Sequence, residues 1–223
     1  MSAGKPANST STARAAARTS AMAPFAVRSF RFQWPSDLLT SWAFEMETLI
    51  LGWYVLVETD SGVLLTAFGS LQFLGTLISP LLGVVADRVG RRAVLCTMRT
   101  IYTVLALAVM IPAWGGSLNV YYVFAVALLA GLVRPSDLVM RNSLIGDTVP
   151  SGMLANAIGL SRTTMDSARI AGALAGAGLF ATLGIGPAYI GVTALYGIAL
   201  LLTLGVAGHH TAAAAAKQNI NEM

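Results

Sequence analysis

Apolar residues along this chain gather into stretches of about twenty, separated by short polar or glycine-rich breaks. The first stretch covers about 36–57 and stops at Glu58, Thr59, Asp60, Ser61 and Gly62. The second covers about 63–85, and the third about 93–113, closed by Pro112, Trp114, Gly115 and Gly116. A fourth begins near Leu118 and fades at Arg134 and Pro135, where proline lacks the donor that would extend a helix. A polar connection over about 136–153 follows, then a fifth stretch over 154–183 and a sixth over 187–207. Each is long enough to cross a hydrocarbon core about 30 Å thick. Backbone in lipid must satisfy its own hydrogen bonds, and the runs lack the strict alternation of a barrel, so the stretches are expected to be helices. The pattern predicts an all-α membrane protein: a basic tail and interfacial segment over 1–33, six transmembrane helices over 34–207 and a polar tail over 208–223.

Composition agrees with lipid as the main solvent. Charged residues make up 11% of the chain and hydrophobic residues 56%, against about 25% charged in a soluble domain. Net charge is +4, but the basic residues lie in tails and short loops and not on one helical face, so no nucleic-acid partner is expected. Lys5, Arg14, Arg18, Arg28 and Arg31 precede the first stretch, and Arg88, Arg91 and Arg92 fill the second connection, while the first and third connections carry none. The positive-inside rule then places the N-terminus in the cytoplasm, and an even number of spans returns the C-terminus, with Lys217, to the same side. The acid-free, Arg- and Ser-rich start has the composition of a disordered tail and, alternatively, of an organellar transit peptide. Phe25, Phe30, Phe32 and Trp34 among Arg28 and Arg31 suit a membrane interface. The single cysteine, Cys96, lies within an apolar stretch and is expected to be an inert packing residue.

The second connection carries the most specific motif. It reads Gly83-Val84-Val85-Ala86-Asp87-Arg88-Val89-Gly90-Arg91-Arg92, in which Gly90 permits a tight turn and Asp87 can accept from Arg88, Arg91 or a facing helix N-terminus. This run resembles the G-x-x-x-D-R-x-G-R-R loop of the major facilitator superfamily in every specified position and in its place between the second and third helices. Leu51-Gly52-Trp53-Tyr54-Val55-Leu56 before Thr59-Asp60-Ser61 is similar to the end of the first helix in the branch holding enterobactin exporters and macrolide efflux proteins. Arg134-Pro135, Arg141-Asn142-Ser143-Leu144-Ile145, Val149-Pro150 and Leu154-Ala155-Asn156-Ala157 resemble that branch's connection between helices four and five. One departure stands in the fifth helix, where relatives often carry Gly-Pro and this chain has Gly172-Ala173, which weakens the antiporter-type motif.

The resemblance implies one six-helix half of a facilitator fold in a bacterial cytoplasmic (inner) membrane. It implies secondary transport of a small molecule by alternating access, with proton-coupled efflux as the expected mode. It also implies that Gly83, Asp87, Arg88, Gly90, Arg91 and Arg92 form a cytoplasmic gate loop. Such transporters pair two six-helix halves around a central site. The expected partner is therefore a second copy of this chain or a C-terminal half.

Ionisable residues inside apolar stretches cost about 2.5–3.5 kcal/mol each on insertion scales and are functional candidates by default. Glu45 and Glu47 lie about 200° apart around a helix, so both cannot face one cavity. One is expected to be a proton or cation site and the other a structural partner, the alternative being a protonated glutamate that only hydrogen-bonds a neighbouring helix; Glu45 is the first candidate for coupling and Asp166 the second. Arg162, Asp166 and Arg169 fall on one helical stripe, which either presents positive charge to an anionic ligand or neutralises itself. Arg99 and Arg134 are expected to snorkel to the cytoplasmic interface, in gate or anchoring roles. Gly172 and Gly176 give a G-x-x-x-G packing face. No nucleophile with a base, phosphate-binding loop or metal cluster appears, so neither an enzyme nor a cofactor is expected; His209 and His210 lack further ligands nearby. The rival to a transporter is a membrane interaction protein that docks on a full-length transporter.

Overall fold

The computed structural model describes residues 22–206, and those residues are 90% helical with no strand among them. The tails, with Lys5, Arg14, Arg18, Lys217, His209 and His210, lie outside the described residues. Seven α-helices follow in order among the described residues: α1 Arg28–Thr59, α2 Gly62–Leu71, α3 Ser79–Val89, α4 Arg91–Trp114, α5 Val120–Thr148, α6 Leu154–Leu183 and α7 Ile185–Leu204. Three of them, α4, α5 and α7, are long and apolar enough to cross a membrane. The segments Gly62–Leu77 and Ser79–Val89 pass the same test together but are bent by 48° at the break between them.

Local chemistry accounts for most boundaries. Asp60 takes a left-handed conformation (φ 48°), and its amide donates to the Leu56 carbonyl to close α1. Ser61 caps α2 by accepting from the Leu64 amide, and Asn119 caps α5 by accepting from the Tyr122 amide at 2.8 Å. Gly90, with φ 99°, is the sole residue between α3 and α4, a conformation that a side chain would strain.

Two boundaries differ from the sequence expectation. The first helix starts at Arg28 and carries Pro35 within it, so the aromatic segment before residue 34 is helical and packed. Phe25 meets Phe30 and Trp34 edge-on at 5.3 and 5.2 Å, over a small cluster of Phe30, Ile145, Val149 and Ala157. The larger correction concerns the expected connection over 136–153. The helix α5 runs through Pro135 to Thr148, leaving only a short link with a 3-10 turn at Ser151–Met153. Proline removes one donor, but Ser136, Asp137, Met140, Arg141, Leu144 and Ile145 are all buried beyond it, and that burial outweighs the lost bond.

The helix α1 is the centre of the bundle, packed along α6, α7 and α5, and α4 packs along α7 and α5. Close approaches rest on glycine. A Cβ on Gly176 would lie 2.9 Å from Met46 Cα, and one on Gly172 would lie 3.1 Å from Glu45 Cβ, so the G-x-x-x-G face of α6 does seat α1. The distribution of polarity is the reverse of a soluble protein's. Val57, Leu77, Leu81, Ile111, Leu174 and Leu201 stand exposed, while Asp37, Glu47, Arg99, Asp137 and Arg141 are buried. Such an exterior fits hydrocarbon as its solvent.

Candidate functional site

A cavity of about 560 Å³ opens between α1, α2, α5 and α6. Its polar lining includes Glu45, Gln72, Arg134, Asp137, Arg141 and Arg169, and its apolar lining includes Phe44, Phe73, Pro135, Leu138 and Met165. Mixed lining of this kind at such a volume is what small-molecule sites have. Glu45 lines the cavity, and Glu47 turns away from it toward α7, as their separation around α1 requires. Arg169 Nε lies 3.9 Å from Glu45 Oε1, the side chains being 68% and 35% exposed.

Behind the cavity wall Glu47 is held on three sides. Tyr196 donates to its Oε2 at 2.8 Å, Tyr189 donates to its Oε1 at 3.3 Å, and Arg134 Nη2 stands 3.7 Å from Oε2. The Arg134 guanidinium also donates to Thr48 Oγ1, the Phe44 carbonyl and Gln72 Oε1, and lies 4.2 Å from the centre of the Phe44 ring. Snorkelling is thus the wrong description of Arg134, which is a mid-bundle strut joining α1, α2 and α5.

Deeper toward the Arg28 end lies a buried tetrad. Arg99 Nη2 donates to Asp37 Oδ1 at 2.6 Å, and Arg99 Nε stands 3.9 Å from Asp137 Oδ1. Arg141 pairs with Asp137 one turn earlier on α5 and lies 3.5 Å from Asp37 Oδ1. It also donates to Ser41 Oγ at 2.9 Å, while its own carbonyl accepts from Gln33. Arg99 is 0% exposed, so it too does not snorkel: the two carboxylates inside the bundle hold it there. Two positive and two negative charges balance, which is the condition for keeping ions out of water.

The Gly83–Arg92 segment, expected as a loop, is helical on both sides of Gly90, forming the end of α3 and the start of α4, and it stands at the same end. Arg91 bridges Asp147 at 2.5 Å and Asp87 at 3.6 Å, and Arg92 donates to the Leu204 carbonyl at 2.6 Å. Asp87 remains 70% exposed, able to accept from a further group. Around Asp87, Arg88, Gly90, Arg91, Arg92 and Asp147 the loop encloses an open space of about 450 Å³. Gly83 has nothing within 4 Å of a built Cβ, so no close approach explains it.

The expected stripe on α6 does not close on itself. Among the described residues Asp166 makes no ion pair with Arg162 or Arg169 within 4.0 Å, and Arg169 points instead to Glu45. Arg162, Thr163, Asp166, Ser167 and Arg169 form an exposed polar face on an otherwise apolar bundle. Asp37, Asp137, Asp147, Tyr189 and Tyr196 are not marked by the sequence, and Arg141 is marked there only as part of a connection between helices. The i, i+4 spacing of Asp137 and Arg141 is the one local signal for them, and it counts only if the helix continues past Pro135.

No protein-family model matches the sequence, and no curated protein matches it.

Proposed function

We propose that this chain is a six-helix half of a secondary transporter of the major facilitator type, with α1, the α2–α3 pair, α4, α5, α6 and α7 as its spans. The observation that carries this reading is the 560 Å³ cavity, which brings the ionisable pair Glu45 and Arg169 together at its lining in a bundle with an otherwise apolar exterior. The reading places both termini in the cytoplasm of a bacterial inner-membrane protein, with the Gly83–Arg92 loop as the cytoplasmic gate. Transport is alternating access of a small molecule, proton-coupled in the efflux direction, with Glu45 as the coupling carboxylate. The exposed α6 face supports a second half, because Arg162, Asp166 and Arg169 in hydrocarbon would each cost about 2.5–3.5 kcal/mol. That half is a second copy of this chain or a companion six-helix unit. Single-molecule photobleaching in lipid should report two copies per particle for the first arrangement.

Flux in proteoliposomes tests the reading. Glu45→Gln should abolish uptake or release driven by a proton gradient while leaving the melting temperature unchanged; coupled flux equal to wild type would remove the coupling role. Asp87→Asn should slow the transport cycle while leaving ligand affinity close to wild type, because Asp87 is exposed and away from the cavity. Equal turnover by the variant would remove the gate assignment. The same uncovered α6 face favours a second reading, in which the chain is an interaction subunit docked on a full transporter. Flux by this chain alone separates the two.

A further inference from the structure

The balance of charge around the cavity restricts what the cavity can hold. Arg134 is answered from behind by Glu47, and Arg141 and Arg99 are answered by Asp137 and Asp37. Those charges are half-buried or buried and already matched. The cavity's two remaining charges are of opposite sign, the half-buried Glu45 on α1 and the exposed Arg169 on α6. At 3.9 Å they are too far apart for a hydrogen bond, so each retains capacity for another partner. The helices that carry them are held close, because a Cβ on Gly172, one turn beyond Arg169, would lie 3.1 Å from Glu45 Cβ and from the Trp42 carbonyl oxygen.

A ligand with one negative charge would gain from Arg169 and lose to Glu45, and a cation would do the reverse. A molecule carrying both charges on neighbouring atoms satisfies both side chains at once, leaving its body for Phe44, Phe73, Pro135, Leu138 and Met165. We propose that this cavity binds a zwitterion of the amino-acid type with an apolar body, its carboxylate on Arg169 and its ammonium on Glu45. The assignment rests on the transporter reading where it treats that ligand as substrate. Each charge-assisted contact is worth roughly tenfold or more in affinity.

Three probes sharing one ring test it: phenylalanine, 3-phenylpropanoate and phenethylamine, in equilibrium competition for radiolabelled phenylalanine on the full chain in lipid nanodiscs. Phenylalanine should bind roughly tenfold tighter than either singly charged probe. Arg169→Gln should weaken phenylalanine to the level of phenethylamine and leave phenethylamine no weaker, since the repelling guanidinium is gone. Glu45→Gln should weaken phenylalanine to the level of 3-phenylpropanoate and leave the propanoate no weaker. Melting temperatures equal to wild type establish that both variants are folded. Equal affinities for the three probes, a singly charged probe as the tightest, or no saturable phenylalanine binding up to about 10 mM by the folded chain would overturn the proposal. Charge-selective binding with no phenylalanine flux in proteoliposomes would overturn the reading of this chain as a transporter paired with its own copy and leave the binding assignment standing.

Discussion

Arg99→Met is expected to destabilise the bundle by about 3–5 kcal/mol, the range found when one partner of a buried ion pair is removed. Arg99 is completely buried, and its loss would leave Asp37 and Asp137 sharing the single guanidinium of Arg141. Two carboxylates with one counter-charge carry a net negative charge into a helix bundle whose exterior is apolar. Nor can the structure relax toward solvent, since Asp37 and Asp137 come from α1 and α5 and are as buried as Arg99. Charge, and not only volume, should therefore decide the cost. Thermal melting of the purified chain in nanodiscs would measure it, and adding Asp137→Asn to Arg99→Met should recover part of the loss by restoring one carboxylate to one guanidinium. A single variant as stable as wild type, or a double variant weaker by the sum of its parts, would show that the four charges do not act as a unit.

The apolar stretches were legible because lipid demands long uninterrupted runs, and α4, α5 and α7 fall on three of them. Gly90 was legible because a one-residue link between two helices needs a positive φ. What sequence periodicity could not reach was the internal pairing of charge. Hydropathy treats every arginine and aspartate as evidence against a span, so Asp137 and Arg141 made the second half of α5 look like a loop. In the fold each cancels the other, and the helix continues. The same blindness moved Arg99 and Arg134 toward the interface, since nothing near them in the chain indicates that Asp37 and Glu47 wait across the bundle. Tyr189 and Tyr196 reach Glu47 from 142 and 149 residues away, and two tyrosines one helical face apart are ordinary in any apolar helix. The Glu45 and Glu47 separation, by contrast, was a property of the helix alone, and it sorts them as the geometry requires, one to the cavity and one to the wall.

Gly131→Ala is expected to be nearly as damaging, although on an isolated helix it should help by about 1 kcal/mol. Here α5 crosses the end of α2 with backbone against backbone: a Cβ on Gly131 would lie 2.1 Å from the Leu71 carbonyl oxygen and 2.9 Å from Gln72 Cα. The contact is reciprocal, since a Cβ on Gly75 would lie 2.3 Å from the Leu132 carbonyl oxygen. No flexible side chain can give way, so the helices must separate or the backbone must bend. Overpacking of this kind costs about 1–3 kcal/mol. The functional cost should exceed the stability cost, because Arg134 sits three residues beyond Gly131 and its bonds to Gln72, Thr48 and the Phe44 carbonyl tie this crossing to the cavity. Gly197→Ala on α7 is the control, with nothing within 4 Å of the added carbon. Melting in nanodiscs should show a drop for Gly131→Ala and none for Gly197→Ala, and the Gly131 variant should lose ligand binding at temperatures where it is still folded. Equal melting and binding for the two variants would mean that α2 and α5 slide apart freely, and that Arg134 is not held by the crossing.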